Sequence, residues 1–293
     1  MSRRYTVLDV FTDKALTGNP LAVVHDGAGL DGARMQAIAK EFNLSETVFL
    51  LPPDDPHRRA KLRIFTPGSE LPFARHPTIG SAVLLSLLHG DEGASAFGVE
   101  EQVGVVSCVT ERRGERAGYA RFRVPKLPME TGRGLSVEDA AEALGLRAED
   151  IGFGHHTPSL RAVGGAFHLI PLASLDALAR AWPSGAFPRL VAGEHPAVFL
   201  YAESAHGLRA RMYAPGLGIA EDPATGSASA CLAGALADHE GLGDGVHDFI
   251  IDQGVEMGRP SRIELQITLE DGKLVSAEIG GGAIVVAEGV LYD

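Results

Sequence analysis

The chain has 293 residues, and its 38 acidic residues outnumber its 26 Lys and Arg residues, which gives a formal net charge of −12. This balance excludes sequence-independent binding to nucleic acid, because neutralising phosphate groups needs clustered Lys and Arg. Only Cys108 and Cys231 are present, without the paired spacing of metal ligands, so neither a disulfide framework nor a zinc site is expected.

The predicted elements begin with two short strands, YTVLDVFT and PLAVVHD, joined by a turn segment that ends in Asn19. The first run reaches Asp9 too early for a signal-peptide core, and no later run approaches the ~18 apolar residues of a membrane span. We therefore expect a cytoplasmic protein with no membrane contact. The next segment, LDGARMQAIAKEFN, has apolar residues at helical spacing, with Asp31 as the N-cap and Asn43 as the end signal.

One segment of the sequence occurs twice. Residues 63–82 read RIFTPGSELPFARHPTIGSA, and residues 211–228 read RMYAPGLGIAEDPATGSA. Each copy leads into a run that is apolar on every face, and such helices are usually buried. The copies are separated by about half of the chain, which predicts two similar lobes.

The remaining segments are mostly short, β-rich and bounded by Gly or Pro, which predicts largely antiparallel sheets. We therefore predict an α+β fold of two lobes, each a mostly antiparallel sheet wrapped around a buried central helix, with the active site in the cleft between them. The first lobe covers residues 1–125, with the last strand, at about 284–293, as a candidate to complete it. The second lobe covers 126–283, and the Pro- and Gly-rich stretch 125–136 is the predicted linker.

The two copies of the repeat differ where His76 in the first corresponds to Asp222 in the second. Pro follows in both, which predicts Pro at the first helical position and His76 or Asp222 as the N-cap. Free backbone N–H groups at such helix starts bind carboxylates and stabilise enolates. In the alternative interpretation, Asp222 only caps its helix and His76 only completes a turn. Different side chains on matching helix starts favour asymmetric proton transfer.

Five blocks of the sequence carry a resemblance to a known family: DVFTDKALTGNPLAVV, MQAIAKEFNLSETVFL, LRIFTPGSELPFARHPTIGSA, EDPATGSASA and GVEMGRPS. They resemble the phenazine-biosynthesis isomerase (PhzF-like) family of the diaminopimelate-epimerase-like superfamily. The resemblance implies the two-lobed diaminopimelate-epimerase-like fold, proton transfer without a cofactor and a homodimer. It also implies that the Glu of NLSET, here Glu46, is the principal acid/base.

By the same resemblance, His76 and Asp222 flank a small carboxylate-bearing substrate, and Ser227 with the backbone at Gly226 holds a substrate oxygen. We also assign Asn19 to substrate binding. On sequence alone, Glu46 at the mouth of a strand would be a solvated edge residue. If it instead lies beside the apolar run VFLL, burial would raise its pKa towards neutral pH and suit proton exchange.

Arg75 departs from the family pattern, because these proteins usually carry Gly before the His of this motif. Arg gives up the positive φ that Gly allows and adds a planar cation with five donors. We assign Arg75 to substrate binding and predict that it points into the cleft. It could there bind an anionic substrate, pair with a carboxylate neighbour, or obstruct the site.

The adjacent pair His155 and His156 is interpreted as a polar loop, because neighbouring residues rarely face one metal ion together. No metal and no cofactor are expected. The leading hypothesis is an isomerase that moves a proton within its substrate. Two alternatives stay open: a racemase, epimerase or dehydratase on the same scaffold, and a non-catalytic protein that binds small anions.

Overall fold

The structure is a computed structural model that describes residues 2–191 and 197–292. Its contacts divide the chain into two compact units. Unit 1 consists of Met1–Arg123 and Gly280–Asp293, and unit 2 of Val124–Ile279. Their limits lie near those of the predicted lobes, and the assignment of the lobes as separate domains stays a prediction.

The elements of both units follow in chain order. Unit 1 contains β1 (Ser2–Val10), β2 (Asn19–Val24), α1 (Gly32–Phe42), β3 (Glu46–Leu51), β4 (Ala60–Phe65), β5 (Glu70–Leu71), α2 (Arg75–His89), β6 (Ala94–Glu101), β7 (Gly104–Arg112) and β8 (Ala117–Arg123). Unit 2 contains β9 (Met129–Gly132), α3 (Val137–Leu144), β10 (Ser159–Val163), β11 (Gly165–Pro171), α4 (Leu175–Arg180), α5 (Phe187–Leu190), β12 (Val198–Ser204), β13 (Gly207–Tyr213), α6 (Gly226–His239), β14 (Gly245–Gln253) and β15 (Ser261–Glu270). The last strand, β16 (Lys273–Tyr292), begins in unit 2 and ends in unit 1.

The sheet of unit 1 has the order β1-β2-β3-β4-β6-β7-β8, with β5 paired to β4. The pairs β2–β3 and β4–β6 are parallel and the other pairs are antiparallel. The end of β16 lies antiparallel to β1, from Ser2 opposite Tyr292 to Val10 opposite Ala283. The end of β16 therefore belongs to unit 1, and the completion of the first lobe by this strand stays a prediction.

The first helix follows its local sequence signals. The side chain of Asp31 accepts a hydrogen bond from the Arg34 N–H, and Asn43 ends α1 with a left-handed φ of 50°. Both predicted caps are confirmed. The second helix, α2, is buried from Arg75 to Ser86 and packs against β1, β2, β7 and β8.

The sheet of unit 2 has the order β15-β14-β13-β12-β11-β10-β9, in which β11–β12 and β13–β14 are parallel. Helix α6 is buried over most of its length and packs against β9, β10, β11 and β15. The predicted linker, residues 125–136, contains β9, because Met129–Gly132 pairs with β10, and its role as a linker stays a prediction. In the described part of the chain, no helix is long and apolar enough to cross a membrane.

Candidate active site

An Arg–Glu pair organises each copy of the repeated motif. Arg63 donates from Nε and Nη2 to the two carboxylate oxygens of Glu70, both at 2.7 Å. Arg211 donates in the same way to Glu221, at 2.9 and 3.0 Å. Each guanidinium also lies over the aromatic ring two residues later, Phe65 or Tyr213, at 5.2 and 5.1 Å from its centroid. The repeated motif therefore forms the same Arg–Glu ion pair in each unit.

The first helix of the motif begins earlier than predicted. Helix α2 starts at Arg75 with Ala74 as the N-cap residue, so His76 and Pro77 are the second and third helical residues. The prediction of His76 as N-cap is wrong. Pro77 is tolerated there because the first four helical N–H groups have no intrahelical partner, so its missing N–H costs no bond.

The second helix of the motif begins later than predicted. Helix α6 starts at Gly226 with Thr225 as the N-cap residue, so Asp222 lies before the helix and the prediction of Asp222 as its N-cap is wrong. The Asp222 carboxylate accepts a hydrogen bond from the Thr225 hydroxyl at 2.5 Å. Gln253 fastens the same segment, since its side chain donates to the Asp222 carbonyl at 2.8 Å and accepts from the Thr225 N–H at 3.0 Å. These bonds keep residues 222–225 out of the helix.

Unit 1 brings Glu46 and His76 together. Glu46 is the first residue of β3, and its Oε2 lies 3.3 Å from Nε2 of His76. The two side chains are 16% and 6% exposed. The distance is slightly longer than the ~2.6–3.2 Å of a working general acid/base contact, and such contacts are often loose without substrate.

Burial decides the charge of His76. The side chain is buried, and desolvation lowers the pKa of His76 from 6.5 to about 3. The imidazole is therefore neutral at pH 7, so its contact with Glu46 is one of a carboxyl group with a neutral ring. A neutral ring nitrogen either accepts a proton in a hydrogen bond or donates one, according to the tautomer.

Three other predicted residues occupy positions that suit binding. Asn19 is the first residue of β2, two residues before Leu21, which lies beside Glu46 in the parallel pair β2–β3. Gly226 and Ser227 are the first two residues of α6, where backbone N–H groups attract anions. Asn19 and Gly226 are buried and Ser227 is half-buried. Their roles in substrate binding stay predictions.

Arg75 is buried, with 3% of its surface exposed. Its guanidinium lies 5.0 Å from the ring centroid of Phe73 and lowers the pKa of Glu101 on β6. Of the predicted alternatives, these contacts favour a carboxylate neighbour.

Two further features lie apart from the Glu46–His76 pair. A cavity of about 850 Å³ in unit 1 is lined by Asp54, Asp55, Lys61, Leu62, Arg63, Glu70, Glu100, Glu101, Gln102, Gly104 and Val105. Neither Glu46 nor His76 lines this cavity. His156 is buried and lies 2.9 Å from the Tyr201 hydroxyl and 3.0 Å from a Glu240 carboxylate oxygen. His155 and His156 both lie outside the helices and strands, so their interpretation as a loop is confirmed, whereas the burial of His156 was not predicted.

One protein family matches nearly the whole chain. The profile of the phenazine biosynthesis-like proteins (PhzC-PhzF) matches residues 8–289. The chain belongs to the phenazine biosynthesis-like protein family. One relative is an uncharacterized isomerase of Mesorhizobium japonicum, 45% identical, with 99% of each chain covered. Another is the trans-2,3-dihydro-3-hydroxyanthranilate isomerase of Pseudomonas aeruginosa, 35% identical over 99% of each chain.

A solved structure shares the fold of this phenazine biosynthesis-like protein. The crystal structure of a PhzF-family protein from Bacillus anthracis matches with a TM-score of 0.87 at 24% identity, covering 100% of both chains. The predicted PhzF-like family, the α+β, sheet-rich fold class and the enzyme class, an isomerase of this family, are confirmed. The homodimer and the cytoplasmic location stay predictions.

Four residues that form hydrogen bonds at the helix starts of the repeated motif were not named from the sequence: Thr78 and Glu101 in unit 1, and Thr225 and Gln253 in unit 2. Thr225 lies inside the matching block EDPATGSASA, so the block itself was a signal for it. Gln253 directly precedes the block GVEMGRPS. Glu101 had no local signal, because a Glu in a β-rich run is usually solvent-exposed.

Proposed function

We propose that this phenazine biosynthesis-like protein is an isomerase that moves a proton within a small carboxylate-bearing substrate by acid/base catalysis, without a cofactor. Glu46 is the acid/base that shuttles the proton. The observation that carries the proposal is the contact of 3.3 Å between Glu46 Oε2 and His76 Nε2, in which both side chains are largely withdrawn from water. Such surroundings let a carboxyl group exist in either protonation state.

In the proposed reaction, the Glu46 carboxylate removes a proton from a carbon atom of the substrate. The C–H bond breaks, an O–H bond forms on Glu46, and the electron pair is delocalised towards the substrate carboxylate. Glu46 then returns the proton to a second carbon atom, which shifts the double bond and leaves the enzyme unchanged. Atoms and charge balance over the cycle, so no oxidant or reductant is needed.

Neutral His76 supports both halves of this cycle. The imidazole can donate to the ionised Glu46 carboxylate or accept from the protonated form, and it adds no positive charge that would hold Glu46 ionised. A protonated histidine would instead lower the pKa of Glu46 and weaken it as a base. The low pKa of His76, about 3, supports the neutral form across ordinary pH.

Chemistry also supports roles for three residues of unit 2. Asp222 is proposed as an acid/base, and Gly226 and Ser227 are proposed to bind the substrate. Asp222 is buried beside the Thr225 hydroxyl and is the proposed assisting acid/base. The N–H groups of Gly226 and Ser227 begin a helix of 14 residues, and the positive end of its dipole would stabilise a substrate carboxylate or an enolate.

The test is proton exchange with solvent. The purified protein is incubated in D₂O with trans-2,3-dihydro-3-hydroxyanthranilate, the compound in the name of the Pseudomonas aeruginosa relative, and with other small unsaturated carboxylates. We expect one of them to gain deuterium and to yield a product with a shifted double bond. Inversion without a shift, or loss of water, would favour the epimerase or dehydratase alternative. Tight binding with no exchange for any compound would contradict catalysis and favour an anion-binding protein.

A further inference from the structure

A buried carboxyl group lies behind the helix start that carries His76. Glu101 is the last residue of β6 and is 7% exposed, and its Oε1 lies 2.6 Å from Oγ1 of Thr78 in the first turn of α2. The same Thr78 oxygen lies 2.7 Å from the carbonyl oxygen of Ala74, the N-cap residue before Arg75 and His76. The two short contacts share one hydroxyl group.

Counting protons limits the contact between Thr78 and Glu101 to two arrangements. A threonine hydroxyl carries one proton, so Thr78 can donate to only one of its two neighbours at a time. Donation to Ala74 is the usual bond of a helical Thr to the carbonyl four residues earlier. The short contact with Glu101 therefore has two possible forms: Thr78 donates to an ionised Glu101, or a protonated Glu101 donates to Thr78 Oγ1.

The second carboxyl oxygen favours the protonated form of Glu101. Within the described part of the chain, Oε2 of Glu101 is buried and forms no hydrogen bond. Burying an ionised carboxylate in this state costs several kcal/mol, whereas a neutral acid tolerates it far better. Burial raises the pKa of Glu101 to about 8, in agreement with the geometry.

The charged and titratable groups that face Glu101 come from several elements. Arg75 on α2 lowers the pKa of Glu101, and less strongly than burial raises it. Cys108 on β7 is an uncharged thiol, because burial and Glu101 raise its pKa to about 12. The cavity that Glu101 lines also carries Asp54, Asp55, Lys61, Arg63, Glu70 and Glu100.

We propose that Glu101 is a positioning residue that, as a neutral acid, fixes the first turn of α2 through Thr78 and thereby holds His76 against Glu46. When Glu101 loses its proton, the Thr78 hydroxyl turns from the Ala74 carbonyl to the new carboxylate. The turn that contains Ala74, Arg75 and His76 then loses its hydrogen bond from the Thr78 hydroxyl and lies close to a negative charge. The consequence for catalysis rests on the proposed function.

The first experiment needs no substrate and reads the proton directly by infrared difference spectroscopy. At neutral pH we expect the C=O stretch of a protonated carboxylic acid in the wild type, which disappears on titration with a midpoint near pH 8 and is absent from Glu101→Gln. Glu100→Gln is the matched control, because Glu100 is the neighbouring residue of β6 and accepts from the backbone of Asp54 and Asp55. A band with this midpoint near pH 8 that persists in Glu101→Gln would overturn the assignment.

The second experiment reads the position of His76 by NMR, again without substrate. We expect the His76 ring signals of the wild type and of Glu100→Gln to shift with the Glu101 midpoint, and those of Glu101→Gln to stay constant. The Gln side chain keeps a donor for Thr78 and cannot ionise. If the His76 signals do not change when Glu101 ionises, the positioning role is overturned.

The third experiment is the pH profile of deuterium exchange into the substrate. We expect the wild-type rate to fall above about pH 8, as Glu101 ionises, and the Glu101→Gln rate to lack this fall. An identical alkaline fall in both proteins would overturn the role in catalysis. If no variant exchanges deuterium at any pH while the infrared and NMR results hold, the proposed function fails and the positioning role stands.

Discussion

Arg211 holds Glu221, the residue directly before Asp222, through two hydrogen bonds of 2.9 and 3.0 Å. Its remaining nitrogen, Nη1, contacts the carbonyl oxygens at the end of α4, those of Leu178, Ala179 and Ala181, at 3.0–3.1 Å. The paired side chains are 6% and 8% exposed. One guanidinium therefore joins a strand, the end of a helix and the segment that carries a proposed acid/base.

This burial predicts a large cost for removing Arg211. Arg211→Met should lower the free energy of unfolding by about 3–5 kcal/mol, because Glu221 is left as an unpaired buried charge. Arg63→Met is the matched comparison, since the Arg63–Glu70 pair is 27% and 25% exposed. Arg63→Met should lower the free energy of unfolding by only about 1 kcal/mol. Urea unfolding of both variants measures the difference, and equal losses would refute the ranking by burial.

His76 should make the fold sensitive to acid. The pKa of His76 is about 3 in the folded protein and 6.5 in the unfolded chain, so only the unfolded chain binds this proton between those values. Stability therefore rises with pH through this window and falls on acidification. His76→Gln should lose less stability than the wild type between neutral and acidic pH. His57, with 88% of its side chain exposed, provides the control variant His57→Gln, which should follow the wild type.

Asp222→Asn separates chemistry from structure. The amide oxygen can still accept from the Thr225 hydroxyl, so we expect little change in the melting temperature and a loss of proton exchange of about 100-fold or more. Thr225→Val tests the structural contribution instead, because it keeps the Asp222 carboxylate and removes the hydroxyl group that donates to it. It should cost about 1–2 kcal/mol of stability and leave more exchange activity than Asp222→Asn. A fully active Asp222→Asn protein would remove Asp222 from the mechanism.

Arg75 should act on Glu101. The guanidinium lowers the pKa of Glu101, so Arg75→Met should move the loss of the Glu101 carboxylic acid signal to higher pH. Arg75→Lys keeps the charge and should shift it less. Infrared titration of the three proteins gives the order. An unchanged midpoint in Arg75→Met would show that Arg75 does not interact with this carboxyl group.

Short sequence signals predicted the structure correctly where neighbouring residues determine it. The caps of α1 at Asp31 and Asn43 depend on neighbouring residues, and both were predicted. The starts of α2 and α6 were not, because distant residues decide them. Gln253 fixes Thr225 across 28 positions, and Glu101 contacts Thr78 across 23.

The same reasoning applies to burial. His156 looks like a loop residue in the sequence, yet it packs against Tyr201 and Glu240, which lie 45 and 84 positions away. The family blocks named Glu46 and His76 as site residues, and a position near a helix start already favoured a neutral His76, whereas the burial that lowers its pKa to about 3 follows only from its three-dimensional surroundings. Sequence blocks thus indicated candidate residues, and the fold determines their protonation.

The central claim is that Glu46 carries the proton. Glu46→Gln keeps the size of the side chain and a hydrogen-bond donor and acceptor towards His76 while removing the acid/base. The decisive measurement is deuterium exchange from D₂O into a turned-over substrate by this variant, with circular dichroism and ligand binding to confirm that it is folded. We predict a rate at least about 100-fold below that of the wild type, with binding retained. Exchange at nearly the wild-type rate in the folded variant would contradict the account.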